Sequence, residues 1–159
     1  MEFDQYCEAV AETRASAGFD VVTETDPLGR VWHASDEDPT VGDISLFTAV
    51  IDAREYGPDE LTEAADAFRH VVTERTSPDD GATPIGYLVV VVSDPSSDVV
   101  ETATSYTVAE RRTNVFPLVY DLTTETLHTH PVPRLKGRGI YRRQIDDAAR
   151  LFEPSADEA

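Results

Sequence analysis

Apolar residues recur at helical spacing in three stretches of this chain and at strand spacing in most of the rest. The clearest helix opens at Gly57-Pro58-Asp59-Glu60 and places Leu61, Ala64, Ala65, Phe68, Val71 and Val72 on one face. Pro58 suits a first helical turn, and the two acids lie near the positive end of the helix dipole. Phe3, Tyr6, Val10 and Ala17 trace a helix over residues 3–17, with Gly18 placed to end it. Tyr141, Ile145, Ala148, Ala149 and Phe152 trace another, closed by Pro154.

Between these lie extended runs. Phe19–Thr25 and Arg30–Ala34 flank Asp26-Pro27-Leu28-Gly29, whose Pro and Gly fit a hairpin turn. Ser35–Asp43 reads as an acidic loop, and Ile44–Asp52 as a third strand, with a helix the alternative there. Tyr87-Leu-Val-Val-Val-Val92 is a continuous, mostly β-branched run, the pattern of a strand buried on both faces. Residues 98–113 are threonine-rich with no clean period and are read as a helix. Val115–Tyr120 and Thr126–Val132 predict a second hairpin, in which Pro117 calls for an edge or a bulge. Together these predict one α+β domain over residues 1–153 and a frayed acidic tail over 154–159. The expected sheet is largely antiparallel or mixed, with five to six strands (two hairpins plus the central buried strand) covered by three to four helices.

At 159 residues the chain has the length of one domain, able to bury roughly two thirds of its unfolded surface without staples. Its single cysteine, Cys7, excludes an intrachain disulfide and fits a reducing compartment. The start, Met-Glu-Phe-Asp-Gln, has neither a basic nor an apolar leader segment, and no apolar run is long enough to span a membrane. A cytoplasmic protein with no membrane partner is expected, either monomer or homodimer. The net charge is -18, with 31 Asp and Glu against 13 Lys and Arg, and only one of those cations is lysine. With its 17 threonines and many small residues, the composition resembles that of salt-loving archaea. That resemblance implies an acidic surface adapted to hydration in concentrated salt; an acidic mimic of nucleic acid is the rival.

The charge is partitioned along the chain. Residues 1–110 carry 24 acids and 5 bases (-19), residues 111–152 carry 4 acids and 8 bases (+4), and the tail adds -3. Arg134, Lys136, Arg138, Arg142 and Arg143 form a run without an acid, leading directly into the last helix. Cations at a helix start are unfavourable by a few tenths of a kcal/mol each, so the run breaks a local rule. An anion held by free N–H groups, converging arginines and the close backbone approach allowed at Gly137 and Gly139 would resolve the conflict. Pairing within the chain would also resolve it: Arg142 with Asp146 and Arg143 with Asp147 are four residues apart, and Arg150 can reach back to either acid. Nucleic acid fits poorly. With about five phosphate contacts, affinity falls roughly as the 4.5 power of salt, about six decades between ~0.15 and ~3 M.

His128-Thr129-His130-Pro131 offers different chemistry. Strand alternation would put both imidazoles on one face, suited to chelating a metal with a carboxylate or His33 as third ligand. Otherwise the two are polar residues on the outer face of an edge hairpin. The four residues are similar to the His-x-His-Pro core of JAMM-type metalloproteases. The Ser-x-x-Asp that follows in that family falls here on Arg138 and Tyr141, so the likeness ends there.

The remaining candidates imply less. His33 and Trp32 are expected to divide between core and solvent, and His70 lies on the polar face of the second helix. Cys7 borders an apolar stripe without a sequence neighbour that would make it a thiolate. Asp36-Glu37-Asp38 with Asp43 lacks the spacing of a calcium loop. No P-loop, dinucleotide fingerprint, nucleophile elbow or Cys-x-x-Cys pair is present, and no cofactor is implied. The sequence therefore predicts a binding or interaction module, with an anion or phosphate site at the basic turn. A metal-dependent hydrolase using His128 and His130, and a structural subunit docking an acidic partner, are the alternatives.

Overall fold

The computed structural model describes residues 1–77, 79–110 and 112–154; residues 155–159, within the predicted frayed tail, lie outside it. The elements are α1 (Phe3–Ser16), β1 (Asp20–Thr25), β2 (Gly29–Asp38), β3 (Gly42–Asp52), α2 (Pro58–Glu74), β4 (Thr83–Val92), α3 (Ser97–Thr104), β5 (Ala109–Glu110), β6 (Thr113–Asp121), β7 (Thr126–His128) and α4 (Arg138–Phe152). This is the α+β architecture expected from the pattern. Its seven-stranded mixed sheet exceeds the expected count by way of the two-residue β5.

The strand order is β1-β2-β3-β4-β6-β5, with β7 also paired to β6. β1, β2 and β3 form an antiparallel meander, whereas β3, β4 and β6 run parallel. Parallel neighbours need crossover segments, and α2 and α3 supply them. Both pack on one face of the sheet, where Leu61, Phe68 and Val72 of α2 and Val99 of α3 meet Leu88, Val90 and Val119. On the opposite face α1 and α4 bring Tyr6, Val10, Leu151 and Phe152 against Tyr87, Val89, Phe116 and Leu118. β4 is thus covered on both sides, which is why its sequence is a continuous apolar run rather than an alternation. No helix among the described residues is long and apolar enough to cross a membrane.

Three departures from the expected pattern matter for the site. First, the acidic stretch Ser35–Asp43 is mostly strand: β2 continues to Asp38 and β3 begins at Gly42, paired in register Asp36 with Ile44 and Asp38 with Gly42. Asp38 closes the turn by accepting hydrogen bonds from Thr40 N (2.8 Å) and Val41 N (2.9 Å), an Asx-type turn. Second, the predicted helix over 98–113 ends at Thr104. Third, Pro117 lies within β6, paired to Leu88 of β4, and not on a strand at the sheet's edge. Its position is nonetheless locally an edge: β5 pairs only with Thr113 and Asn114, and β7 reaches only to Val119. The missing N–H of Pro117 therefore leaves no ladder bond unmade on that side.

Candidate functional site

The basic segment is strung between two fixed points. At its front, β7 ends at His128, and the chain turns His130 inward until it is 2% exposed. His130 Nε2 stands 2.9 Å from the carbonyl of Pro117, filling the gap between β5 and β7, and the ring packs edge-on to Phe116. Its backbone is clamped by Gln144 of α4: His130 N donates to Oε1 (2.7 Å), and Nε2 donates to His130 O (3.2 Å). Burial pulls the His130 imidazole below its usual range, so the ring is neutral at pH 7.

The second fixed point is Arg143. It donates from Nε to Asp147 Oδ2 (2.8 Å), from Nη1 to Asp38 Oδ2 (3.4 Å) and from Nη2 to Asp36. Tyr87 donates to Asp147 Oδ2 at 2.6 Å, and Arg150 to its Oδ1 at 2.9 Å. Burial alone would lower the Arg143 pKa, but the carboxylates hold it far above the ordinary value. In return the Arg143 hydrogen bond holds Asp36 below the usual carboxylate range. Asp38 is lowered chiefly by the N–H groups of Val41 and Thr40, with Arg143 adding to them. This cluster, buried at Asp147 and open to solvent at Asp36, ties α4 to the β2–β3 hairpin.

Between these points lie Arg134, Lys136, Arg138 and Arg142, all exposed and in no ion pair among the described residues. The sequence-predicted cations are thereby divided. Arg143 is consumed within the fold, its expected bond to Asp147 formed; the expected Arg142–Asp146 pair is not. Gly137 forms the N-cap of α4 with φ 76°, a left-handed conformation that favours glycine, and no side chain caps this end. Gly139 lets the first turn approach the hairpin, since a Cβ there would stand 3.0 Å from Thr40. Leu135, amid the cations, is 86% exposed.

His128 and His130 do not form the same-face pair that alternation predicts, because the strand stops at the first of them and the second turns into the core. The alternative placement of both on an outer hairpin face fails for His130 for the same reason. No group of three His, Cys, Asp or Glu side chains among the described residues is arranged to hold a metal. His33 bonds Ser45 Oγ at 2.7 Å, and His70 pairs with Glu74 on the exposed face of α2.

Two other arginines are buried and carry no carboxylate partner among the described residues, and nothing in the pattern of residues marked either. Arg69 of α2 donates to the carbonyls of Thr107, Val108, Glu110 and Thr113, fixing the α3–β5 connection from behind. Arg14 lies over Trp32 and donates to Thr48 Oγ1 at 3.1 Å; burial pulls its pKa down to about 10. Cys7 lies within its field, yet burial pushes the thiol up to about 11, which keeps it unreactive at neutral pH.

Compared with known proteins, the chain matches no family model, no curated protein and no solved structure.

Proposed function

We propose that this chain is a non-catalytic binding module whose contact surface is the basic segment Arg134–Arg142 and whose ligand is anionic. The observation that carries this reading is the division of the cations: one is paired with three carboxylates, while four stand exposed with no ion-pair partner among the described residues. In a chain of net charge -18, unneutralised cations at an uncapped helix start are locally unfavourable, and an anion would relieve the conflict. The halophile-like composition narrows the mode of binding. At ~1 M salt the screening length is about 3 Å, so direct bonds from arginine, not long-range attraction, would hold the ligand.

Phosphate or sulfate is expected to raise the melting temperature more than chloride at matched ionic strength. Replacing Arg138 and Arg142 together by Ala should abolish that difference; a double variant that responds as the wild type does would dispose of the reading. The metal-dependent hydrolase is the weaker reading, since His130 is buried against Pro117 and no third ligand gathers near it among the described residues.

A further inference from the structure

An open, largely apolar groove of about 540 Å³ borders the basic segment. One wall is the connection from Thr104 to Ala109; the other is His130–Pro133 with the Tyr141 ring. The cations adjoin it through the chain itself. Arg134 follows the groove residue Pro133, and Lys136 and Arg138 flank Gly137, where a Cβ would stand 3.5 Å from the Tyr141 ring. Exposed Leu135 extends the apolar character into the basic rim.

Both walls are fixed before anything binds. Arg69 holds the carbonyls of Thr107 and Val108, Gln144 holds His130, and Tyr141 packs edge-on to Phe116. Such a surface loses little freedom on binding. Its openness sets the class of ligand. A small molecule is usually enclosed over most of its surface, which this groove does not allow, whereas a polymer can lodge one side chain and lie along the rim.

We propose that the groove and its rim seat an acidic peptide segment of a partner protein, one bulky apolar side chain entering the groove and the flanking carboxylates meeting Arg134, Lys136 and Arg138. Charge complementarity chooses the partner: the rim is cationic on a chain that otherwise repels acids. The apolar anchor explains how such recognition survives concentrated salt, which screens the charges but strengthens apolar burial. This inference rests on the anionic-ligand reading and adds the groove to it.

Two labelled peptides test it by fluorescence anisotropy: a short run of Asp and Glu with one central Phe, and its twin with Ala at that position. The Phe peptide should bind the intact protein about tenfold more tightly, the yield of burying roughly half an aromatic side chain, and keep that ratio at ~2 M salt. Thr107→Trp, at an exposed position of the groove wall, should bring the two peptides to equal affinity. Arg134→Ala with Arg138→Ala should weaken both peptides alike. Equal binding of the twins to the wild type would overturn the groove's role while the basic-segment reading stands. Unchanged affinities in the arginine double variant would overturn both. A single-stranded oligonucleotide that binds more tightly than the Phe peptide would replace the acidic peptide with nucleic acid. Circular dichroism of each variant separates lost binding from lost folding.

Discussion

Arg142 and Arg143 are adjacent in the chain and meet opposite fates. Arg143 lies across Asp36, Asp38 and Asp147, carboxylates that approach it from the β2–β3 hairpin and from its own helix. Arg142, with Arg134, Lys136 and Arg138, points where no acid among the described residues pairs with it. A helix turns by about 100° per residue, so one step carries a side chain from the packed face to solvent. Five cations in a row are therefore not one feature. One is a structural bolt and four are available surface.

The comparison breaks first if the bolt is dispensable. Arg143→Met leaves three carboxylates facing one another, with Arg150 alone to offset the buried Asp147, and should cost about 3 kcal/mol. Arg142→Met should stay within ~0.5 kcal/mol. Urea unfolding of both variants measures the gap, and equal losses would erase the distinction. The other end of the segment should answer next. Gln144→Ala strips His130 of both backbone bonds in a buried setting and should cost about 2 kcal/mol.

Acid sharpens the contrast further. Asp36 and Asp38 titrate below the ordinary aspartate value of 3.8 in the folded state. Their stabilising contribution is thus complete above that pH and fades as pH falls through it toward their folded values. The wild type should lose stability steadily below about pH 4. Arg143→Met should show a shallower decline, mainly through Asp36, while an Arg134/Lys136/Arg138/Arg142 variant keeps the full slope. A residual slope persists in all of them, because Asp52 beside Arg54 and Asp121 among backbone and threonine donors are also depressed. The smallest effect has the opposite sign. Arg138→Glu should stabilise the protein by about 0.3 kcal/mol, since an acid suits the first turn of α4 better than a cation; a loss instead would show that Arg138 has a partner in the fold.

Local pattern made much of this molecule legible. The two-sided run of β4 and the apolar face of α2 announce themselves because each signal lies within one element. The cation run and its conflict with the helix start were equally plain. What sequence could not supply is the partner of each charge. Asp36 and Asp38 stand two apart on β2, a same-face spacing that could have marked them as strand residues, but their charge made a solvated loop the natural reading. The residue that pairs with them lies 107 and 105 positions away. His130 misled for a related reason: alternation holds only while the strand lasts, and β7 stops two residues short of it. The groove was invisible too, since its walls come from stretches far apart in the chain, 104–109 and 130–133 with Tyr141.

The sorting of the arginines can be read in one experiment. Brief treatment of the intact protein with phenylglyoxal, followed by peptide mapping, reports the reactivity of each guanidinium. Arg134, Arg138 and Arg142 should be modified rapidly and Arg143 spared, and the Phe-bearing acidic peptide should protect Arg134 and Arg138. Modification of Arg143 at the same rate as its neighbour, or no protection of either rim arginine at saturating peptide, would contradict the division on which the proposed binding surface rests.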